Sequence, residues 1–379
     1  MENENAKIAF AASGERSSIW SRDPDIDLSE SRAYSFPRKL LLSLCSRCSL
    51  RCGHCVRGHF PCEPGAVMSK QTLNDVVSDF FPRVSTVWLG GSDLGEQMLS
   101  PYFDDLLKYA QEREGPDLEM VTSGVMITSQ RASLMARSMS HVYLSLEGVG
   151  SHYTRIRGIP WDDFLQRLKW LTVCRDAATT RGRLDVSFHV TVMRQLQRDC
   201  HQLVDLAKQW RIRSIDFRHF VPLLPSHTLS SLLYYPSESN RFFRDLADHG
   251  AAAGVAITTP SECPVDTSAD ALRRHPCYLP FETIGIDADG RVRSCCNARF
   301  TLGCYEPGLG RIERLWNGPQ YLRLRASVNS AHPLPACVRC DAVNDDPRVY
   351  RPEFGMVDRV RLGLKRVLPL AVARIVRRS

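Results

Sequence analysis

The segment Lys39-Leu-Leu-Leu-Ser-Leu44-Cys45-Ser-Arg-Cys48-Ser-Leu-Arg-Cys52-Gly-His-Cys55 decides how the rest of the sequence is read. Its apolar half predicts a buried strand, and its cysteine half a loop delivered by that strand. Cys48, Cys52 and Cys55 have the spacing C-x3-C-x2-C. Three thiolates on one loop can hold three corners of a cubane iron–sulfur cluster and leave the fourth iron open. With Cys45 the run becomes C-x2-C-x3-C-x2-C, which a zinc knot can also use, although zinc modules usually set their cysteine pairs a dozen or more residues apart. A ferredoxin run, C-x2-C-x2-C-x3-C-P, is not matched, and Val56 follows Cys55.

Downstream, short apolar runs and amphipathic stretches alternate. Val84–Leu89, Leu118–Thr122, His141–Leu146, Leu184–Val192 and Ser214–Phe220 read as strands. Lys70–Phe81, Tyr102–Arg113, Ser129–Ser138, Trp161–Ala177 and Gln197–Trp210 read as helices. Such alternation predicts parallel strands joined by right-handed crossovers, with ligands at the carboxyl ends of the strands. The expected fold is α/β, a partial (β/α)6 TIM-like barrel followed by a small cysteine-rich domain of hairpin plus helix. The expected divisions are a polar lead-in over 1–36, a core over 37–225, a connector over 226–270, a cluster domain over 271–348 and a basic tail over 349–379.

The 379 residues, 43% of them hydrophobic, suffice for a large core and one smaller module. There is no 18-residue apolar window and no basic-then-apolar N-terminal leader, so a cytoplasmic protein is expected. In that compartment fourteen cysteines point to metal ligation rather than disulfides. The net charge of +7 is concentrated in the tail: from Arg351 onward eight Lys/Arg face Glu353 and Asp358, leaving +1 for the rest. No nucleic-acid partner is expected from so neutral a body. In the tail, Val357, Val360, Leu364, Val367 and Leu368 interleave with the cations. Met356–Ser379 is therefore expected either to lie on an anionic membrane surface or to pack as a solvated helix.

A second cysteine group follows. Phe281–Ile286 and Arg291–Ser294 flank the turn Asp287-Ala-Asp-Gly290 and predict a β-hairpin ending at Cys295. Cys277, Cys295, Cys337 and Cys340 supply four thiols, with Cys296 competing for the place of Cys295; spacing alone also permits a zinc site.

The first cysteine run resembles the signature of the radical S-adenosylmethionine superfamily. That resemblance implies a [4Fe–4S] cluster on Cys48, Cys52 and Cys55, S-adenosylmethionine at the open iron, His54 at the usual aromatic position and Cys45 as an extra thiol. Other segments fall where the family would have them. Gly90-Gly91-Ser92 resembles the glycine motif that receives the methionine amino group; Ser92 departs from the usual Glu, with Asp93 or Glu96 as substitutes. Thr122-Ser123-Gly124 resembles Thr-Asn-Gly, and Ser145-Leu-Glu147-Gly148 resembles Ser-Leu-Asp-Gly. Arg155-Ile-Arg157-Gly158 resembles Ile-Arg-Gly, whose arginine is expected to face the methionine carboxylate. The later cysteines resemble the twitch module, a short relative of SPASM, which implies one auxiliary [4Fe–4S] cluster.

What the resemblance implies for function is removal of hydrogen by a 5′-deoxyadenosyl radical from a small-molecule or lipid-linked polar substrate, with net oxidation through the auxiliary cluster. Flavodoxin or ferredoxin is the expected electron donor. Epimerisation is the alternative, needing a thiol donor for which Cys263, Cys304 and Cys62 are candidates; for each, the competing reading is a small buried hydrophobe. Peptide modification and a purely structural or electron-carrying metalloprotein are the remaining alternatives.

Overall fold

The structure, a computed structural model, describes residues 28, 31–33, 35–55, 57, 65–91, 95–112, 115–178, 184–264, 275–295, 300–338, 340, 344 and 346–347. Cys62, Ser92, Cys296 and the whole 349–379 tail lie outside them.

Six strands, β1 (Lys39–Leu42), β2 (Thr86–Leu89), β3 (Asp117–Thr122), β4 (His141–Ser145), β5 (Asp185–Val192) and β6 (Ser214–His219), pair in sequence order and all run parallel. Between them lie α1 (Lys70–Phe80), α2 (Phe103–Glu112), α3 (Ser129–Ser138), α4 (Gly150–Arg157), α5 (Trp161–Ala177) and α6 (Gln197–Gln209). This is the partial barrel expected from the alternation. Side chains at every second strand position, among them Leu40, Leu42, Val87, Leu89, Val142, Leu144, Phe188 and Phe217, join the helix-facing core with Phe80, Phe103 and Leu168. Each such large apolar side chain contributes about 1.5–3 kcal/mol of burial. Caps fix the helix entries: Ser69 accepts from the Thr72 N–H, and Thr128 from that of Arg131. Gly158, at φ +73°, ends α4 in the left-handed conformation that glycine adopts without a Cβ penalty.

Two elements differ from the sequence reading. The first apolar run was expected to stay extended through Leu44, yet β1 stops at Leu42 because the N–H groups of Leu44 and Cys45 turn to the Gln97 side chain. The 226–270 stretch holds not only helix α7 (Pro236–Ala253) but also β7 (Ala256–Thr258), which extends the sheet parallel to β6. Three residues are too few to show a period, so β7 had no sequence signal.

At the other edge, β8 (Thr283–Ile286) pairs parallel to β1, and β9 (Arg291–Arg293) and β10 (Gly303–Cys304) follow antiparallel. The predicted hairpin is therefore a continuation of the barrel sheet. Helices α8 (Leu309–Trp316) and α9 (Pro319–Val328) pack beside it around Arg325, whose guanidinium lies over Trp316 and Tyr321 and donates to the Pro280 carbonyl.

Candidate functional site

β1 delivers the first cysteine loop to the carboxyl end of the sheet. Cys48, Cys52 and Cys55 lie close enough that the charge of each of the other two raises the Cys52 pKa. Burial is the larger cause and pushes the Cys52 thiol up to about 11; it also raises Cys48. Three thiols on one loop, Cys52 buried and Cys48 and Cys55 half-buried, are by their chemistry a fitting donor set for iron, since ligation takes the thiolate form. Cys45 is fully buried, and its Sγ lies 3.3 Å from the Arg47 N–H.

The loop after β2 closes on this segment. Gln97, buried, accepts from Leu44 N at 2.7 Å and donates to the carbonyls of Cys45 and Gly95 at 3.2 and 3.1 Å. Gly95 packs so tightly that a Cβ there would sit 1.8 Å from the Cys45 carbonyl oxygen. Next to it, the buried Glu96 carboxylate receives the Thr122 hydroxyl at 2.9 Å, the Ser123 N–H at 3.0 Å and the Ser123 hydroxyl at 2.7 Å. Glu96, one of the two substitutes expected for Ser92, thus joins the second and third strand ends.

At the fourth strand end Arg157 is buried against Glu147, its Nε 2.8 Å and its Nη2 2.9 Å from the carboxylate oxygens, and Nη2 donates to Ser145 Oγ at 2.8 Å. The His54 Nε2 lies 3.4 Å from Glu147. The protein partner of Arg157 is thus the Glu147 carboxylate. Arg157 also lowers the Cys52 pKa, which ties this ion pair to the cysteine loop.

The second cysteine set is brought together from three places. Burial, then the charges of Cys295, Cys340 and Cys337, push Cys277 up to about 12. Asn329 grips Cys277 by both backbone groups, accepting from its N–H at 2.7 Å and donating to its carbonyl at 3.1 Å. Asn344 donates to the carbonyls of Val338 and Cys340. Among the other candidates, Cys304 is exposed on β10. Cys263 is buried beyond β7, with its backbone N–H and carbonyl both bonded to Asn240 at 2.8 Å.

The lumen face of the sheet carries groups that no motif singled out. Trp88 and Tyr143 contact each other with ring centroids 5.5 Å apart, and His189 meets Asp216 at 2.9 Å. Strand alternation was the one signal available for the last two.

A family model described as the radical SAM superfamily matches residues 42–207, and one described as an iron–sulfur cluster-binding domain, SPASM, matches residues 277–341. The chain is 29% identical over 323 residues to GTP 3′,8-cyclase of Mycobacterium ulcerans (strain Agy99), covering 75% of this chain and 82% of that protein. It is 30% identical over 112 residues to a tungsten-containing aldehyde ferredoxin oxidoreductase cofactor-modifying protein of Pyrococcus furiosus, 28% of this chain and 30% of that one. Among solved structures, Streptococcus suis SuiB bound to S-adenosylmethionine superposes with a TM-score of 0.57 at 16% identity, covering 86% of this chain and 75% of that one. AnSMEcpe with bound S-adenosylmethionine gives 0.55 at 15% identity over 75% and 82%. At such identities these two structures speak to the fold.

Proposed function

The chain belongs to the radical S-adenosylmethionine superfamily, and from that premise we propose that it oxidises a polar substrate, sugar-, cyclitol- or lipid-linked, by two electrons after removing one of its hydrogen atoms. When bound, a [4Fe–4S] cluster with S-adenosylmethionine supplies a 5′-deoxyadenosyl radical, and an auxiliary cluster supplies an electron acceptor. Cys48, Cys52 and Cys55 would hold the first. The Glu96 carboxylate, oriented by Thr122 and Ser123, is a fitting partner for the methionine ammonium. Glu147 and Arg157 keep the cysteine loop seated over the strand ends. Flavodoxin or ferredoxin would donate the electron that starts the reaction.

The observation that carries the reading is the gathering of Cys277, Cys337 and Cys340 about Cys295, at the end of a hairpin paired directly to β1. Four thiolates leave no iron open to a substrate, so they favour electron transfer. A substrate that has lost a hydrogen atom must regain one or give up an electron, and this set supports the second course.

A second reading, ring formation on a nucleotide, is favoured by the similarity to GTP 3′,8-cyclase. Against it, several cations beside the lumen already have carboxylate partners: Lys39 with Glu282, Arg157 with Glu147, Arg218 with Asp216 and Arg293 with Asp287. A triphosphate would have to compete for them.

The test is anaerobic reconstitution with dithionite and S-adenosylmethionine, followed by mass analysis of candidate polyols and of GTP. A product lighter by two hydrogens is expected from a polyol. A stereoisomer carrying one solvent hydrogen, or a cyclised nucleotide, rejects the oxidation.

A further inference from the structure

Strand parity places an imidazole inside the barrel. Val186, Phe188, Val190 and Val192 of β5 and Ile215 and Phe217 of β6 point into the helix-facing core, so Ser187, His189 and Thr191, and Ser214, Asp216 and Arg218, face the lumen. His189 is paired in the ladder with Asp216 on one side and with Ser145 on the other. Neighbouring strands lie about 4.8 Å apart. The imidazole thus shares a rung with the serine that binds Arg157, one strand from the cysteine-loop support.

The local chemistry fixes the tautomer. His189 Nδ1 lies 2.9 Å from Asp216 Oδ2, and Arg218 Nε donates to the same oxygen at 2.9 Å. Burial works against ionisation of Asp216, but the His189 hydrogen bond and the Arg218 charge outweigh it and hold the carboxyl below its usual range. An ionised carboxylate only accepts, so Nδ1 carries the hydrogen, and in the neutral ring that tautomer puts the lone pair on Nε2. The His189 side chain is 29% exposed. Asp216 Oδ1, buried, takes no hydrogen bond from any described residue.

We propose that His189, oriented by Asp216, accepts the proton of a substrate hydroxyl or ammonium group, which makes the substrate a hydrogen-bond donor at the atom attached to the reacting carbon. The proposal rests on the oxidation argued above. In that oxidation the carbinol C–H hydrogen goes to the deoxyadenosyl carbon. The O–H bond breaks as the Nε2–H bond forms, and one electron leaves for the auxiliary four-thiolate iron–sulfur acceptor, giving C=O. The imidazolium charge is offset by the Asp216 carboxylate. His189 is the catalytic residue of this step, and Asp216 positions it.

The test uses anaerobic holoenzyme with S-adenosylmethionine and labelled histidine. Nitrogen chemical shifts read the His189 tautomer, and calorimetry reads binding of myo-inositol, 2-deoxystreptamine and GTP. In the unaltered protein an Nδ1–H tautomer and binding of at least one of the first two probes are expected. Asp216→Asn, of the same shape, should move the hydrogen to Nε2 and weaken that binding about 10- to 100-fold, the range for a hydrogen bond involving charge. His189→Phe should do the same to affinity, and His189→Gln, whose amide oxygen still accepts, should recover most of it. Should His189→Phe fail to fold, the Asp216→Asn pair of readings decides alone. Unchanged affinity in a folded Asp216→Asn protein, failure of both non-nucleotide probes to bind, or an equal loss of GTP binding overturns the assignment. His189-dependent binding without an oxidised product would reject the oxidation and leave His189 standing, whereas oxidised product formed equally by His189→Phe would do the reverse.

Discussion

The two cysteine sets are assembled in opposite ways. Cys48, Cys52 and Cys55 belong to one short loop at the end of one strand, whereas Cys277, Cys295, Cys337 and Cys340 depend on a hairpin, two helices and the clamps of Asn329 and Asn344. A set made within one loop keeps its spacing through small shifts elsewhere; a set made from distant segments inherits every such shift. The first should therefore respond to loss of a ligand, the second also to loss of packing.

The sharpest break is complete loss at the first site. Cys52→Ala should abolish 5′-deoxyadenosine formation under anaerobic reducing conditions, while Cys45→Ala should preserve it; equal loss from Cys45→Ala would make the set four cysteines rather than three. At the second site, Cys337→Ala should lower reconstituted iron from about eight to about four per chain, because a fully ligated cubane takes four thiolates. S-adenosylmethionine cleavage should persist without oxidised product. Iron at about four with one zinc in the unaltered protein would remove the auxiliary cluster.

Smaller effects sharpen the contrast through stability. Glu147→Ala leaves the buried Arg157 unpaired and should cost about 3–5 kcal/mol in denaturant unfolding. Acid probes the barrel from its other face. His219 ends β6 against Phe243, and burial lowers its pKa to about 4. Between that value and the unfolded value of 6.5 the unfolded chain binds the extra proton, so stability should fall as pH drops across this window, by about 3 kcal/mol in all. His219→Phe should flatten that slope in pH-dependent melting. The smallest change is Asn329→Ala, expected to cost about 1 kcal/mol and to shed iron from the second site alone, read by iron content during dilution.

What could be read in the sequence divides along the same line. Strands and helices of the barrel carry their periods locally, so α3 and α5 have the bounds expected from pattern alone. The cysteine loop was legible because its chemistry is written in adjacent residues. Glu96 could be named only as one of two substitutes, because its contacts with Thr122 and Ser123 come from another strand, and the Glu147–Arg157 pair was hidden because spacing does not say which partner a guanidinium takes. His189 and Asp216 are 27 residues apart and meet only through strand register, which a single sequence does not print. β8 looked like part of a separate module because nothing in Thr283-Ile-Gly-Ile286 names β1 as its neighbour.

That last pairing bears on how the protein is made. Lys39 and its partner Glu282 stand 243 residues apart. A ribosome adding roughly 5–20 residues per second takes roughly 12–50 seconds to cover that distance. Throughout that interval one edge of β1 has no neighbour, the state in which strands recruit foreign chains, and long-range parallel pairing is itself slow to form. The first cysteine loop thus emerges early on a strand whose second partner is made some 243 residues later, which leaves it open to an iron–sulfur carrier, or to oxidation, before the sheet closes.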